Sequence, residues 1–505
     1  PGTTLLITDI QDSTVIWETL PADVTDQAVK LHHEVIRQSS IAHRGYECCT
    51  EGDSFILAFH TPNDAARFAV AAQAALVLAP WPQQLYELEP VAMHEHLQRL
   101  VPVAAGPGPG RVLIFQGLRV RMGMASGTSS ADEVTFNASL GRVKYGGALM
   151  AAAKAIQDAA QGGMVLATSS TFKQLSVESL GSELLVISMG EHVLKAGEEA
   201  VQVYHLLNQA LSHRAFHLGA VRSVAQSSLG ILQAPYGQAA VCFMNAVGVG
   251  ILEAWNRTVA AAALKLYQGC AQAALCQHGG YLMEAVDGLC LAAFASPAAA
   301  MRWALDTLTR CLELDWPPEL LEHELGEAVE LMSVNNQGTT SVQPSARALR
   351  RANGDGPTEL AGRATPPATS GRVYQLQVHK LLFRGLRVKV GIDYGPVHAD
   401  LHAVTGRVTY RGKAMNRAAR ICGSAKSGQV WASSGAWHAA QHDLNNRMDS
   451  LSYGPGGTDQ AANGMPSAAA ELPVAATNLG SFKLKGIKVG ATASPHSCPA
   501  QSQEW

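Results

Sequence analysis

The chain has 505 residues, of which 47% are hydrophobic and 16% charged, with a formal net charge of −3. This length predicts two domains of about 200 residues each, and the composition is that of a globular protein. The near-neutral charge argues against nucleic acid as a partner. The longest nearly uncharged apolar run, 239–252, is too short to cross a bilayer. The nine cysteines form no CxxC pair, which favours a reducing, cytoplasmic compartment over a disulfide framework.

The first predicted strand, Leu5–Thr8, lies close to the chain start at Pro1. No signal peptide precedes it, and this abrupt start suggests a piece of a longer protein, whose flanks could hold membrane or sensor segments. A helical period then covers Asp23–Ala42, a second apolar strand covers Phe55–Phe59, and a further helix, capped by its first residue, covers Asn63–Leu78. Alternating strands and helices predict an α/β sandwich, with helices over a sheet.

The sequence repeats itself in order, which predicts two copies of one fold. The matched motifs are Gly45–Phe59 with Gly280–Phe294, Gly117–Gly123 with Gly385–Gly391, and Gly141–Tyr145 with Gly406–Tyr410. The numbering offset between the copies grows from 235 to 265, so the second copy carries an insertion.

The repeat and the composition together predict the domain organisation. We expect a first domain at 1–207, a linker at 208–237 and a second domain at 238–496. Segments near 333–372 and 453–476 are rich in Gly, Pro, Ala and small polar residues and lack a hydrophobic period, so both are predicted to be flexible surface loops.

Two aspartates of the first copy suit a hard cation. Asp9 follows the first strand, and Asp53 stands beside Gly52 in a turn that leads into the next strand. Mg²⁺ is usually held by one or two carboxylates together with substrate phosphates. The alternative is that Asp9 caps a helix and Asp53 serves the turn.

Taken together, several stretches resemble the class III adenylyl and guanylyl cyclases. They are TDIQDST (8–14), GYECCTEGDSFILAF (45–59), GLRVRMGMASG (117–127) and YRGKAMNRAARI (410–421). The resemblance implies ferredoxin-like α/β domains that pair head to tail with active sites between them. In this chain the two copies would form an intramolecular pseudo-dimer.

The resemblance also implies how the two copies divide the metal-binding work. Asp9 and Asp53 match the family's two metal-binding aspartates, and Ile10 is placed to offer a backbone carbonyl. The implied cofactors are two Mg²⁺ or Mn²⁺ ions. In the second copy the matching residues are Asn245 and Gly288, with an aspartate displaced by one residue, so that copy is predicted not to hold the metal pair.

The transition-state residues are divided the other way. Asn416 and Arg420 share one helix face and match the family's asparagine, which orients the ribose, and its arginine, which stabilises the pentavalent phosphorus. Their counterparts in the first copy are Ala151 and Ala155. Lys485 matches a lysine that contacts the terminal phosphates, although an ordinary exposed lysine is the alternative. The surviving groups form one complete set, which predicts one working site.

Two positions bear on the choice of purine. Glu284 stands where adenylyl cyclases typically have lysine and guanylyl cyclases glutamate, and an acceptor-only carboxylate suits the N1–H and N2 amine of guanine. Thr409, at the second position, can donate to guanine O6 or accept from adenine N6 and does not decide. GTP is therefore the expected substrate, and ATP is the alternative.

The sequence leaves three hypotheses open. The first is an active cyclase that releases a 3′,5′-cyclic nucleotide and pyrophosphate. The second is a catalytically inactive pair that binds nucleotide or a partner, favoured by Asp12 and Thr128, where the family usually has glycine and arginine, and by Gly288. The third, homodimerisation through these domains, is less needed because the two copies can satisfy each other within one chain.

Overall fold

The computed structural model describes residues 2–87, 94–97, 111–138, 141–334, 341–342, 376–402, 405–451, 474–482 and 491–496. Lys485 and nearly all of the two low-complexity segments lie outside these residues. The chain divides into two compact units. Unit 1 is Pro1–Ala234 with Asp400–Thr409, and unit 2 is Pro235–Ala399 with Tyr410–Trp505.

The first 234 residues form strands and helices in alternation. The strands are β1 (Thr3–Ile10), β2 (Tyr46–Glu51), β3 (Ser54–Phe59), β4 (His94–Leu97), β5 (Arg111–Phe115), β6 (Val120–Gly127), β7 (Val134–Asn137), β8 (Arg142–Tyr145), β9 (Val165–Thr168), β10 (Leu184–Val193), β11 (Val201–Asn208) and β12 (Ala225–Leu229). The helices are α1 (Ser13–Thr19), α2 (Ala22–Ala42), α3 (Pro62–Leu78), α4 (Gly147–Asp158), α5 (Ser169–Gln174) and α6 (Val177–Leu180).

The remaining residues repeat this alternation. The strands are β13 (Gln238–Ala246), β14 (Tyr281–Val286), β15 (Leu289–Phe294), β16 (Val329–Val334), β17 (Ser341–Val342), β18 (Leu376–Phe383), β19 (Val388–Pro396), β20 (His398–His402), β21 (Arg407–Arg411), β22 (Val430–Ser433), β23 (Ser481–Phe482) and β24 (Ala491–His496). The helices are α7 (Val249–Trp255), α8 (Arg257–Gln277), α9 (Pro297–Glu313), α10 (Pro318–Glu322), α11 (Lys413–Ser424) and α12 (Ser434–Leu451).

The main sheets of the two units have the same strand order. The sheet of unit 1 runs β12-β10-β11-β9-β6-β1-β3-β2, and that of unit 2, from the opposite edge, runs β14-β15-β13-β19-β22-β24-β23. β6 pairs in parallel with β9, as β19 does with β22. The repetition expected from the sequence is therefore present in both sheets, and the expectation of a mixed α/β fold is confirmed.

Helices cover both faces of the sheet in unit 1. Along β1 the side chains alternate between two clusters, because successive residues of a strand point to opposite faces. Leu6 packs with residues of α2 and α3, whereas Leu5 and Ile7 pack with Leu149 and Ala153 of α4. Burial on both faces explains why three consecutive residues of this strand, Leu5, Leu6 and Ile7, are apolar.

Two predicted features differ from the structure. Helix α3 is capped by Thr61, whose hydroxyl accepts from the Asp64 amide at 3.1 Å, and not by Asn63, because Pro62 is already the first helical residue. Most of the segment 208–237, predicted to be a linker, belongs to unit 1, because β12 pairs with the edge strand β10. Over the described ranges, no helix is long and apolar enough to span a bilayer.

Candidate active site

The two aspartates of unit 1 lie at the same end of neighbouring strands. β1 and β3 are antiparallel with Thr8 opposite Phe55, so Asp9 and the turn that carries Asp53 adjoin each other. The Ser54 hydroxyl donates to the Thr8 carbonyl at 2.7 Å, and the Thr8 hydroxyl accepts from the Phe55 amide at 3.2 Å. These bonds hold the turn against the end of β1, so the structure brings Asp9 and Asp53 together.

The Asp53 carboxylate has an unmet requirement for a partner. Its Oδ2 atom is buried, and no group within the described ranges forms a hydrogen bond with it. A buried carboxylate oxygen without a donor is costly, and a divalent cation would supply the missing partner. In the described part of the chain, no cluster of three or more His, Cys, Asp or Glu side chains could hold a metal alone. Asp9 and Asp53 provide two carboxylates, the number that usually holds Mg²⁺ together with substrate phosphates.

Asp9 has a partner that the sequence analysis missed. Arg121 stands opposite Asp9 in the pairing of β1 with β6, and its Nε donates to Asp9 Oδ2 at 2.9 Å, with Nη2 on the same oxygen. Both side chains are largely buried, at 19% and 18% exposure for Asp9 and Arg121 respectively. A cation in an otherwise apolar strand, within the repeated motif GLRVRMG, was the signal that could have revealed it.

Helix α2 backs the turn with two adjacent histidines. The His33 ring lies edge-on to the Phe55 ring, at 5.0 Å between centroids. Burial lowers the pKa of His33, and Arg37 lowers it further, while a bond to the Gly52 backbone opposes the shift. Burial lowers the pKa of His32 to about 3, with His33 and Arg37 adding to the effect. Both imidazoles are therefore neutral near pH 7.

Unit 2 carries different residues at the matching positions. Asn245, opposite Lys389 in the pairing of β13 with β19, holds the place of Asp9. In the β14–β15 turn, Asp287 takes the left-handed place of Gly52, with φ +48°, and Gly288 takes the place of Asp53. Asp287 is exposed. The displaced carboxylate is therefore one residue from the position that Asp53 holds in unit 1.

The space beside Gly288 is filled. A Cβ atom at this position would lie 2.8 Å from Val249 Cγ2 and 3.0 Å from Ala246 Cβ. Both distances are at or below the shortest seen for real Cβ contacts. In unit 1, by contrast, the matching turn position has room for the side chain of Asp53.

Asn416 and Arg420 are exposed on one face of α11, one helical turn apart. The opposite face is buried and consists of Ala414, Ala418, Ile421 and Cys422. Among the described residues, the side chain of Arg420 forms no ion pair. Both side chains are thus exposed on a helix whose other face is packed on the sheet.

The burial pattern of α4 fixes which residues of unit 1 correspond to these two. The buried residues of α4 have the same spacing and are Leu149, Ala153, Ile156 and Gln157. This alignment places Ala151 and Ala155 at the positions of Asn416 and Arg420. Neither methyl group can bind ribose or neutralise a phosphate.

The base-selecting candidates lie in different units. Glu284 is exposed on β14, just after a bulge between Leu282 and Glu284, and β2 has the same irregularity between Glu47 and Cys49. Glu284 thus corresponds to Cys49 of unit 1. Thr409 donates to the Asp400 carbonyl at 3.3 Å, within the segment that groups with unit 1.

Two further predicted roles are not tested by the described atoms. The Ile10 side chain is 2% exposed, and the role of its backbone carbonyl as a metal ligand stays a prediction. The predicted phosphate contact of Lys485 also stays a prediction.

Residues 2–208 match the family model described as the adenylate and guanylate cyclase catalytic domain. The match covers most of unit 1, which is similar to this family over that range. The chain is 31% identical over 244 residues to an adenylate cyclase of Podospora anserina, a match that covers 42% of this chain and 10% of that protein. It is 33% identical over 220 residues to a receptor-type adenylate cyclase of Trypanosoma congolense, covering 42% of this chain and 28% of that protein.

The chain therefore spans well under half of the length of these curated relatives. Among solved structures, a structure of adenylate cyclases from Trypanosoma brucei in their monomeric state is similar to this chain. The match covers 44% of this chain and 92% of that chain, with 26% sequence identity and a TM-score of 0.36. Asp9 and Asp53 carry carboxylate oxygens of the type that suits a divalent cation, and the ion pair with Arg121 orients the Asp9 side chain.

Proposed function

We propose that the chain converts a purine nucleoside triphosphate to a 3′,5′-cyclic nucleotide and pyrophosphate, and that both units contribute residues to one site. The complementarity of the two units carries the proposal. Unit 1 has Asp9 and Asp53 but alanines for the transition-state residues, and unit 2 has Asn416 and Arg420 but neither aspartate. Independent decay of two sites would not leave one complete set.

The metal requirement follows from Asp9 and Asp53. With the backbone carbonyl of Ile10, these side chains would hold two Mg²⁺ or Mn²⁺ ions. The ions, when bound, lower the pKa of the ribose 3′-hydroxyl and neutralise triphosphate oxygens. The buried, unpartnered Oδ2 of Asp53 supports this assignment.

The residues of unit 2 would act on the reacting atoms. The 3′-oxygen attacks the α-phosphorus in line, the bond to the bridging oxygen breaks, and pyrophosphate leaves. Asn416 orients the ribose by hydrogen bonds, and Arg420 provides a fixed guanidinium where negative charge grows in the transition state. Lys485 contacts the terminal phosphates.

GTP is the proposed substrate, because the exposed carboxylate of Glu284 can accept from both donors on the Watson–Crick edge of guanine. Adenine would place its N1 acceptor against the same carboxylate. ATP is the second candidate, since the curated relatives are named adenylate cyclases. Thr409 can serve either base.

The first experiment measures cyclic nucleotide formation by the purified chain with Mn²⁺ and either GTP or ATP. We expect product from GTP in preference to ATP, and loss of activity in Asp53→Ala. A parent chain without product from either nucleotide, indistinguishable from Asp53→Ala, would favour the inactive binding pair. A preference for ATP would contradict the role of Glu284.

The role of Arg420 is tested by a matched pair of variants on α11. Arg420→Ala should lower kcat by about 10³-fold, since a guanidinium at a phosphoryl-transfer transition state is worth this much or more. Lys413→Ala, at an exposed position of the same helix, should leave kcat unchanged. Equal effects would refute the assignment.

Mixing two inactive variants tests whether the aspartates of unit 1 act together with Asn416 and Arg420 of the same chain. Asp53→Ala and Arg420→Ala each damage a different unit. If one chain supplies its whole site, a mixture of the two variants stays inactive. Recovered activity in the mixture would show that the site forms between two chains, as in a homodimer.

A further inference from the structure

An ion pair between a buried carboxylate and a partly exposed guanidinium attaches α11 to the sheet of unit 2. Asp393, on β19, is 1% exposed, and its Oδ2 accepts from Arg417 Nε at 2.5 Å. Arg417 Nη2 also donates to the Tyr394 carbonyl at 3.5 Å. Burial raises the pKa of the Asp393 carboxyl, and hydrogen bonds from Ser433 and Arg417 oppose that rise. A carboxylate this deeply buried requires such partners.

Arg417 occupies a position from which it can control the helix. It follows Asn416 directly and precedes Arg420 by three residues, so it projects about 100° around the axis from one and about 60° from the other. Its side chain therefore contacts the sheet at the flank of α11 while Asn416 and Arg420 remain exposed.

Apart from this ion pair, α11 packs closely on β19, but few large side chains interdigitate between them. Two of the four buried residues of α11 are alanines. A Cβ atom at Gly391 would lie 2.1 Å from the Cys422 amide nitrogen, so the helix backbone rests directly on β19. Contacts of this kind set the distance between helix and strand, whereas rotation about the helix axis is resisted mainly by larger side chains that interdigitate.

Unit 1 shows what the same interface looks like without the ion pair. Helix α4 packs on β6 through the same spacing of buried residues, and Gly123 approaches the Gln157 amide nitrogen as closely as Gly391 approaches that of Cys422. The positions of Arg417 and Asp393 are held there by Ala152 and Ala125. The helix therefore packs on its strand without the pair.

The pair is thus present in the unit that has Asn416 and Arg420 and replaced on both sides in the unit that has lost them. We propose that the Asp393–Arg417 ion pair is a positioning element, which fixes the rotation of α11 and so aims Asn416 and Arg420 at the reacting nucleotide. This inference rests on the proposed function.

The geometry gives the expected size of the effect. Side-chain ends lie about 5–6 Å from a helix axis, so a rotation of about 10° moves them by about 1 Å. A misplacement of about 1 Å can lower a rate by about 10²-fold. Loss of the pair should therefore lower kcat by about 10-fold to 100-fold, with a smaller effect on KM.

The test is the double variant Asp393→Ala/Arg417→Ala, which places alanine at both positions, as unit 1 has in Ala125 and Ala152. Because both charges are removed, no buried charge is left unpaired, and the variant should fold. We expect lower kcat, and a less than additive loss when Arg420→Ala is added, because both changes act through the same guanidinium. Arg417→Lys should recover part of the loss seen in Arg417→Ala. Parental kcat and KM in the double variant would overturn the proposal.

A second measurement does not depend on catalysis. Amide hydrogen exchange of residues 413–424 should be faster in the double variant than in the parent, with exchange in residues 257–277 unchanged. Lys413→Ala is the control for a surface change in α11. Unchanged exchange in 413–424 would overturn the positioning role even if the parent makes no cyclic nucleotide. Absence of product with faster exchange in 413–424 would instead count against the proposed function alone.

Discussion

Acid should weaken unit 1, and the buried imidazole of His32 should account for a measurable part of the loss. His32 is 0% exposed on α2, and neither ring nitrogen has a hydrogen-bond partner among the described residues. Its ring lies 5.8 Å from that of Phe55, between centroids. Burial, followed by the charges of His33 and Arg37, lowers its pKa from 6.5 to about 3. His32→Leu keeps an apolar side chain of similar size and removes the titrating group.

The sign and the size follow from the two pKa values. Below pH 6.5 the unfolded chain takes up a proton at this residue, whereas the folded chain does not until the pH nears 3. The free energy of unfolding therefore falls as the pH is lowered through this window. Between pH 7 and pH 5.5 one such histidine costs about 1.3 kcal/mol, or about 3–5 °C in Tm for a unit of this size.

Urea unfolding at pH 7 and pH 5.5, followed by circular dichroism, measures this difference. His205 is also buried, with its pKa lowered to about 4, so the parent should lose more than the contribution of His32 alone. His32→Leu should lose about 1.3 kcal/mol less than the parent over this window. His60→Leu, at an exposed position, is the control. An unchanged pH dependence in His32→Leu would refute the reasoning.

Three further predictions use matched positions. Asp9→Ala should lower cyclase activity by roughly 10²-fold or more, whereas Asn245→Ala should barely change it; equal losses would contradict a single site. Glu284→Lys should shift the ratio of kcat/KM for GTP and ATP towards ATP by roughly 10-fold to 100-fold, and an unchanged ratio would remove Glu284 from base selection. Thr61→Ala should reduce the free energy of unfolding by about 1 kcal/mol in urea titrations, and an undiminished stability would show that its hydroxyl is not the cap of α3.

The repeat was predictable because the same motifs occur in the same order in both halves of the chain, although many of their residues differ. The matched sheets follow from the recurrence of Gly45–Phe59 and Gly117–Gly123, and the helical face shared by Asn416 and Arg420 follows from their spacing alone. The position of β12 was not predictable, because an edge strand of mixed polarity has no distinct period, and its pairing with β10 depends on tertiary contacts.

The partners of the predicted site residues also lay beyond the sequence. Arg121 meets Asp9 across strands that are 112 residues apart, so only the strand register reveals the pair. Asp393 and Arg417 lie on different elements, a strand and a helix, so their contact also depends on how these elements pack. Single-sequence reasoning identifies residues by type and motif, whereas ion pairs between distant segments depend on how the segments pack.

The turn at Asp287 and Gly288 bears on the history of the chain. Unit 1 has glycine followed by aspartate at this turn, and unit 2 has the reverse order. An exchange of the two residues would therefore place an aspartate at the position that corresponds to Asp53. Val249 and Ala246 now stand where the new side chain would be, so an aspartate at 288 would clash before it could bind an ion. An aspartate at 288 would therefore bring a gain only together with a change in these neighbours. Under the proposed division of site residues between the two units, the packing around Gly288 therefore opposes the return of this metal-binding carboxylate to unit 2.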